Sequence, residues 1–308
     1  MKNTRAVTGI LVTAVYIAIV VLSAYVHPLF LDVFILAVAV LGTYEMGNAV
    51  SKMMSPNIVA LNMTAVGVGF GAFWFAQYFF RTYSAGLAGY MVALVVMILV
   101  TLIVTASSKK YVRGNAASTV LVMMYPGAIL MFTMAMNYFI DVDGAFILAS
   151  GATPYRSAAI GLQFIVPAFT DMFAYLVGSR LKGKKLAPKI SPNKTISGAI
   201  GGLLGGLLAA GIVLLLTFLG VYYKVNICGL QLINDNWTVT IVVLLVLGLF
   251  GSVFDQLGDL LASYIKRQAD IKDFSNLLPG HGGIIDRVDG FMLSGVFYYL
   301  FFAVLILI

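Results

Sequence analysis

Ionisable side chains are what this chain has least of. Asp, Glu, Lys and Arg make up 10% of its 308 residues against 61% hydrophobic ones, with 12 Asp plus Glu and two His in all. So little charge cannot dress the surface of a water-soluble protein, and the two soluble domains that length alone would suggest give way to a polytopic membrane protein. The single cysteine, Cys228, excludes an intrachain disulfide and a cysteine-rich zinc site. Neither a long low-complexity linker nor a repeat of fixed period divides the sequence. Residues 1–308 therefore read as one transmembrane domain, with helices to residue 140 and a half from 157 to 308 that holds the candidate chemistry. The apolar run from Val7 to Val26 is longer than a signal-peptide core and lacks a small-x-small cleavage site, so it is expected to be a retained first helix.

At about 20 apolar residues per crossing, nine helices are predicted, near 7–26, 29–50, 58–80, 86–106, 117–140, 157–179, 196–221, 237–262 and 290–308. With the N-terminus in the cytoplasm, all but Arg81, Arg156 and Lys224 of the 19 Lys and Arg fall on the cytoplasmic side. A net charge of +7 is thus explained by the positive-inside pattern, and nucleic acid is not expected as a partner. Glycines 198, 201, 202, 205, 206 and 211 give the seventh helix small residues suited to close helix packing.

An ionised carboxylate at the bilayer centre costs about 2.5–3.5 kcal/mol on insertion scales, so each needs a partner, water or a function. Asp32 and Glu45 lie near opposite ends of helix two, where snorkelling or interfacial water accounts for them. Asp141, Asp143 and Asp235 belong to outer loops. Asp171 lies about eight residues before Ser179, roughly 12 Å inside the membrane, and reads either as paired with a neighbouring helix or as functional. On helix eight, Asp255 and Asp259 share a face that Ser263 and Lys266 continue.

The stretch Ser263 to Asp289 then leaves the apolar pattern. Pro279-Gly280-His281-Gly282-Gly283 suits a tight turn with exposed amides. Asp286 and Asp289, three apart with Arg287 between them, suit either a hard cation such as Mg²⁺, together with Asp259, or the N-terminus of helix nine. His281 reads as a general base, a phosphate hydrogen-bond donor or part of the turn. The basic loop Arg180 to Lys194 fits positive-inside bias and anionic headgroups; its closeness to Asp171 also suits a polyphosphate held between a metal and cations.

Three segments together resemble the phosphatidate cytidylyltransferases, or CDP-diacylglycerol synthases. One runs through Ser263, Lys266-Arg267, Lys272-Asp273, Ser275, Pro279-Gly280-His281-Gly282-Gly283, Asp286-Arg287 and Asp289. The others are Asp171 with Ala174-Tyr175 and Gly178, resembling D-T-x-A-Y-x-x-G, and Ser191-Pro192-Asn193-Lys194-Thr195, resembling S-P-x-K-T. The sequence departs from that family at Ile196-Ser197-Gly198 in place of W-E-G, at Ala262 where a glutamate is common, and at Asp255 where a small residue is usual.

The resemblance implies an all-α membrane enzyme that makes CDP-diacylglycerol and pyrophosphate from CTP and phosphatidate. Its expected metal residues are Asp259, Asp286, Asp289 and Asp171, holding Mg²⁺ with room for a second cation. Asp259, Asp286, Lys266 and His281 are the expected catalytic residues, and Lys194, Lys266, Arg267, Arg287, Gly282 and Gly283 the expected phosphate contacts. Membrane lipids and a homodimer complete the expected partners, and the site is expected to face the cytoplasm of a bacterial membrane. A CTP-dependent polyprenol kinase and an ion-coupled transporter are the rival readings.

Overall fold

The computed structural model describes residues 2–80, 82, 84–139, 154–225, 227, 230–278, 280 and 282–307. His281, Cys228, Asp141, Asp143 and Arg81 lie outside the described residues. The chain runs through α1 (Lys2–Tyr25), α2 (Leu29–Met53), α3 (Val59–Phe80), α4 (Ala85–Ser107), α5 (Arg113–Val122), α6 (Ile129–Met136), α7 (Pro154–Leu181), α8 (Ile196–Tyr223), α9 (Trp237–Gln268) and α10 (Ile285–Leu307). A two-stranded antiparallel hairpin, β1 (Lys185–Ala187) and β2 (Ser191–Thr195), joins α7 to α8. Among the described residues eight helical segments are long and apolar enough to cross a bilayer, α5 and α6 counting as one, and α1 adds a shorter apolar segment, Ala14–Tyr25. The protein is an all-α integral membrane protein.

Most predicted helix bounds fall within a few residues of those observed. The fifth helix is the main difference: the π-helical turn Met123–Ala128 separates α5 from α6 and contains Pro126, which has no N–H to continue an α-helical ladder. Helix α9 also runs on to Gln268 and α10 starts at Ile285, so the polar stretch between them is shorter than hydropathy implies. At the hairpin's end the Thr195 side chain accepts from the Gly198 amide at 3.1 Å and caps α8.

The chain divides into two compact units. The first holds residues 1–15, 31–138 and 265–288, and the second 16–30, 139–264 and 289–308. In the first, α3 and α4 meet through glycines: a side chain at Gly86 would strike the Phe73 ring, and one at Gly69 the Tyr90 ring. The Asp32 carboxylate is buried there, accepting from Trp74 Nε1 at 3.0 Å, Asn137 Nδ2 at 2.9 Å and the Tyr138 hydroxyl. Snorkelling therefore does not account for Asp32; three donors from the protein take the place of water.

In the second unit the α8 glycines divide between two neighbours instead of forming one face. Gly198, Gly201 and Gly205 lie against the backbone of α7, at Ala174, Phe173 and Phe169, whereas Gly206 meets Gly248 of α9. A Cβ at Gly211 would meet nothing within 4 Å.

Candidate active site

The second unit holds Asp171, Asp255, Asp259 and Asp289. Asp255 and Asp259 stand one turn apart on α9, and Asp289 is on α10. The two helices touch backbone to backbone at glycines: a Cβ at Gly258 would lie 2.4 Å from the Asp289 carbonyl oxygen, and one at Gly290 would lie 2.0 Å from Asp255 Oδ1. Each glycine adjoins an aspartate in sequence, so the crossing that needs the glycines also brings the carboxylates together. Asp255 is 3% exposed. Its charged neighbours are Asp171, Asp289, Asp259 and Lys194.

Lys194 belongs to β2, and its Nζ is 2.5 Å from Asp259 Oδ2. Ser263 donates to the other oxygen, Oδ1, at 3.3 Å, which bears out the shared face read from the 259–263 spacing. The hairpin's pairing of Lys185 with Thr195 fixes where Lys194 emerges, just ahead of the capped start of α8. Four carboxylates and the Lys194 ammonium thus share this region.

The donors are all oxygen, as a hard cation requires. Among the described residues no three His, Cys, Asp or Glu side chains form a ready-made metal cage.

The glycine-rich loop belongs to the first unit. Lys266, at the end of α9, places Nζ 2.6 Å from Asp286 Oδ1 and 5.5 Å from the centre of the Phe274 ring. Asp286 Oδ2 accepts from the Phe274 amide at 2.8 Å and the Gly283 amide at 2.9 Å. The Gly283 amide, expected to face a phosphate, is therefore directed at Asp286 and holds the loop. Both oxygens of Asp286 itself, expected at the metal, have protein donors. Gly280 and Gly282 adopt left-handed backbone conformations, φ 77° and 83°, and the Leu278 amide donates to the Gly282 carbonyl at 2.9 Å. Arg267 and Arg287 are exposed.

On its other side the loop is gripped by Glu45 of α2. Glu45 Oε1 accepts from Ser275 Oγ at 2.6 Å and the Ile284 amide at 2.9 Å, and Oε2 accepts from the Ile285 amide at 2.9 Å. Far from snorkelling, Glu45 is 3% exposed and satisfies the first amides of α10, where the helix dipole favours an anion. A Cβ at Gly283 would come within 2.6 Å of Glu45 Oε2, so only glycine fits between the two carboxylates.

The sequence model described as the cytidylyltransferase family matches residues 4–305. The chain belongs to the cytidylyltransferase family. It is similar to the phosphatidate cytidylyltransferase of Bacillus subtilis (strain 168), 34% identical over 176 residues, covering 57% of this chain and 56% of that protein. The phosphatidate cytidylyltransferase of Brucella abortus biovar 1 (strain 9-941) is 40% identical over 157 residues, 51% of each chain. That of Rickettsia bellii (strain RML369-C) is 34% identical over 166 residues, 54% of this chain and 66% of the relative. The chain spans about half the length of the first two relatives it matches.

Two features, one in each unit, escaped the motif reading. Glu45 is 230 positions from Ser275, and nothing local marks it beyond being a carboxylate in an apolar helix. The Gly258–Gly290 crossing had a signal in the paired Gly258-Asp259 and Asp289-Gly290, which is visible once both lie on helices.

Proposed function

We propose that the chain transfers the cytidylyl group of CTP to phosphatidate, giving CDP-diacylglycerol and pyrophosphate, on the cytoplasmic side of a bacterial membrane. The observation that carries the reading is the meeting of Asp171, Asp255, Asp259 and Asp289 with Lys194 in a membrane protein of the cytidylyltransferase family. Carboxylate oxygens beside a lysine at the end of apolar helices suit a cation-bound nucleotide, and a lipid substrate can keep its chains in the bilayer.

Asp259, with Asp289 or Asp171, is the proposed Mg²⁺ ligand; when bound, Mg²⁺ would supply positive charge to the triphosphate oxygens. Asp286, a metal candidate from the sequence motif, is held within the first unit by Lys266 and two loop amides. A phosphate oxygen of phosphatidate attacks the α-phosphorus of CTP. The new P–O bond forms as the bond between the α-phosphorus and the bridging oxygen breaks, and that oxygen leaves with its electron pair in pyrophosphate. The nucleophile is already an anion, so no protein base is needed to create it.

What remains for the protein is positioning and charge neutralisation. Lys194, set by the hairpin, neutralises phosphate charge at Asp259. Lys266, Arg267, Arg287 and the Gly282 region are the further phosphate contacts, and Asp286 and Glu45 fix the loop that bears them. His281, outside the described residues, is proposed as a catalytic residue of the same loop.

The test gives purified protein labelled CTP, Mg²⁺ and either phosphatidate or a polyprenol. Labelled CDP-diacylglycerol from wild type, lost in Asp259→Asn, is the expected result. Product confined to a polyprenyl phosphate would replace this reading with a kinase, and no product from either lipid would overturn both.

A further inference from the structure

Several helical threonines of this chain spend their hydroxyls on their own backbone. Thr101, Thr105, Thr119 and Thr217 each donate to the carbonyl four residues back, at 2.8, 2.8, 2.6 and 2.9 Å. Thr43 of α2 does not. It is 2% exposed, and its Oγ1 has no hydrogen-bond partner among the described residues. A hydroxyl buried without a partner is costly, and this one has declined the carbonyl that lies nearest to it in sequence.

Within the first unit, a run of side-chain amides joins α2 to α3 and ends at the same place. Asn57 Nδ2 donates to the Gly47 carbonyl and to Ser51 Oγ, each at 2.7 Å, and Asn57 Oδ1 accepts from Asn62 Nδ2 at 2.8 Å. Asn62, on α3 and 2% exposed, is left with an Oδ1 that has no partner among the described residues. Thr43 and Asn62 line one cavity of about 10 Å³, with Gly47, Asn48 and Asn57 also in its wall. That is about the least space that admits one water, and a buried water needs two to four polar partners. The run of hydrogen bonds therefore has two open ends, Thr43 Oγ1 and Asn62 Oδ1, at a cavity of water size.

We propose that this cavity binds a single water molecule, which donates to Asn62 Oδ1 and shares a hydrogen bond with Thr43 Oγ1. The water closes a polar ring that runs from the Gly47 carbonyl through Asn57 and Asn62 back to α2. An acceptor at one end and a hydroxyl at the other suit a water, whereas two neutral oxygens supply neither the ligand number nor the charge that a divalent cation needs. Thr43 and Gly47 stand one turn apart, and Glu45, two positions from each, is turned about 160–200° away around the helix. The bound water thus braces α2 against α3 on the side opposite the carboxylate that holds the glycine loop. This binding does not depend on the reaction proposed above.

An experimental structure of the full chain, at a resolution that shows ordered water, should carry one density peak about 2.8 Å from both Thr43 Oγ1 and Asn62 Oδ1. Thr43→Ser keeps the hydroxyl and should keep the peak, which Thr43→Val should lose. Thermal unfolding in detergent gives an independent reading, because a dry cavity and a wet one predict opposite signs for Thr43→Val. In a dry cavity the substitution removes an unpaired hydroxyl, so the midpoint rises or stays where it is. With water bound it removes one of that water's partners, and the midpoint should fall by about 2–4 °C, the scale of one lost hydrogen bond in a large domain. No peak in the wild-type structure, or a midpoint raised or unchanged in Thr43→Val, overturns the proposal. So does a wild-type midpoint that climbs with Na⁺ at constant ionic strength and no longer does so in Thr43→Val, which would make the occupant a cation.

Discussion

Glu45 shows how much one carboxylate can hold in place. Its two oxygens accept from Ser275 Oγ and the Ile284 and Ile285 amides, so a residue of α2 fixes both the glycine loop and the start of α10. In Glu45→Gln one oxygen becomes an NH₂ facing a donor. Hydrogen bonds to charged groups contribute about 1.5–3 kcal/mol, and a loss of that order is expected in thermal unfolding, with cytidylyl transfer falling further because Asp286 depends on the same loop. Glu45→Gln with wild-type stability and activity would show that the clamp is dispensable. Asp255 poses the opposite problem, a buried carboxyl with three others as neighbours. Asp255→Asn replaces a buried ionisable group with a neutral one of the same shape, so the protein without Mg²⁺ should melt at a higher temperature. The Mg²⁺ concentration for half-maximal transfer should rise about tenfold, equivalent to about 1.4 kcal/mol. An unchanged Mg²⁺ dependence would end the idea that Asp255 supplies charge missing elsewhere, notably at Ala262.

Helices were the legible part of this sequence because a bilayer leaves few alternatives to a run of about 20 apolar residues. What hydropathy cannot see is how two helices meet. The α8 glycines look like a single small-residue stripe in the sequence, yet they serve α7 on one side and α9 on the other. Pro126 marked the irregularity in the fifth span, but its apolar neighbours hid the turn around it. Of the site, Asp171, Lys194, Asp259 and Asp289 were legible from motif and depth, while the engagement of Asp286 with Lys266 and of Gly283 with Asp286 depends on a loop path that spacing does not define. The glycine division itself can be tested by a pair of variants. Gly205→Ala puts a methyl 2.4 Å from the Phe169 carbonyl oxygen and must part α7 from α8, costing on the order of 1–3 kcal/mol. Gly211→Ala meets nothing and removes a helix glycine, so it should be neutral or stabilise by about 0.5–1 kcal/mol. Thermal unfolding in detergent separates them, and equal effects would mean that α8 does not pack on α7 through Gly205.

Across the whole molecule, charge and hydropathy make one joint statement about orientation. Helix α8 is apolar through 28 residues, with the lysine-bearing hairpin before it and Cys228 after it. Between Asp171 and Asp235 the sequence contains no acidic residue, so the hairpin's lysines are not offset by local carboxylates and resist translocation. The hairpin should therefore face the cytoplasm and Cys228 the outside. The proposed reaction requires the same, because CTP is a cytoplasmic nucleotide and Lys194 and Asp259 lie at the hairpin end of α8 and α9. A single cysteine makes this directly measurable. In intact cells a membrane-impermeant maleimide should label native Cys228, whereas a Cys228→Ser, Lys189→Cys protein should be labelled only after permeabilisation. Reversed labelling would place the carboxylates on the side without CTP and overturn the proposed activity. Labelling of both cysteines from outside would show that α8 does not cross, and the helix count would fall with it.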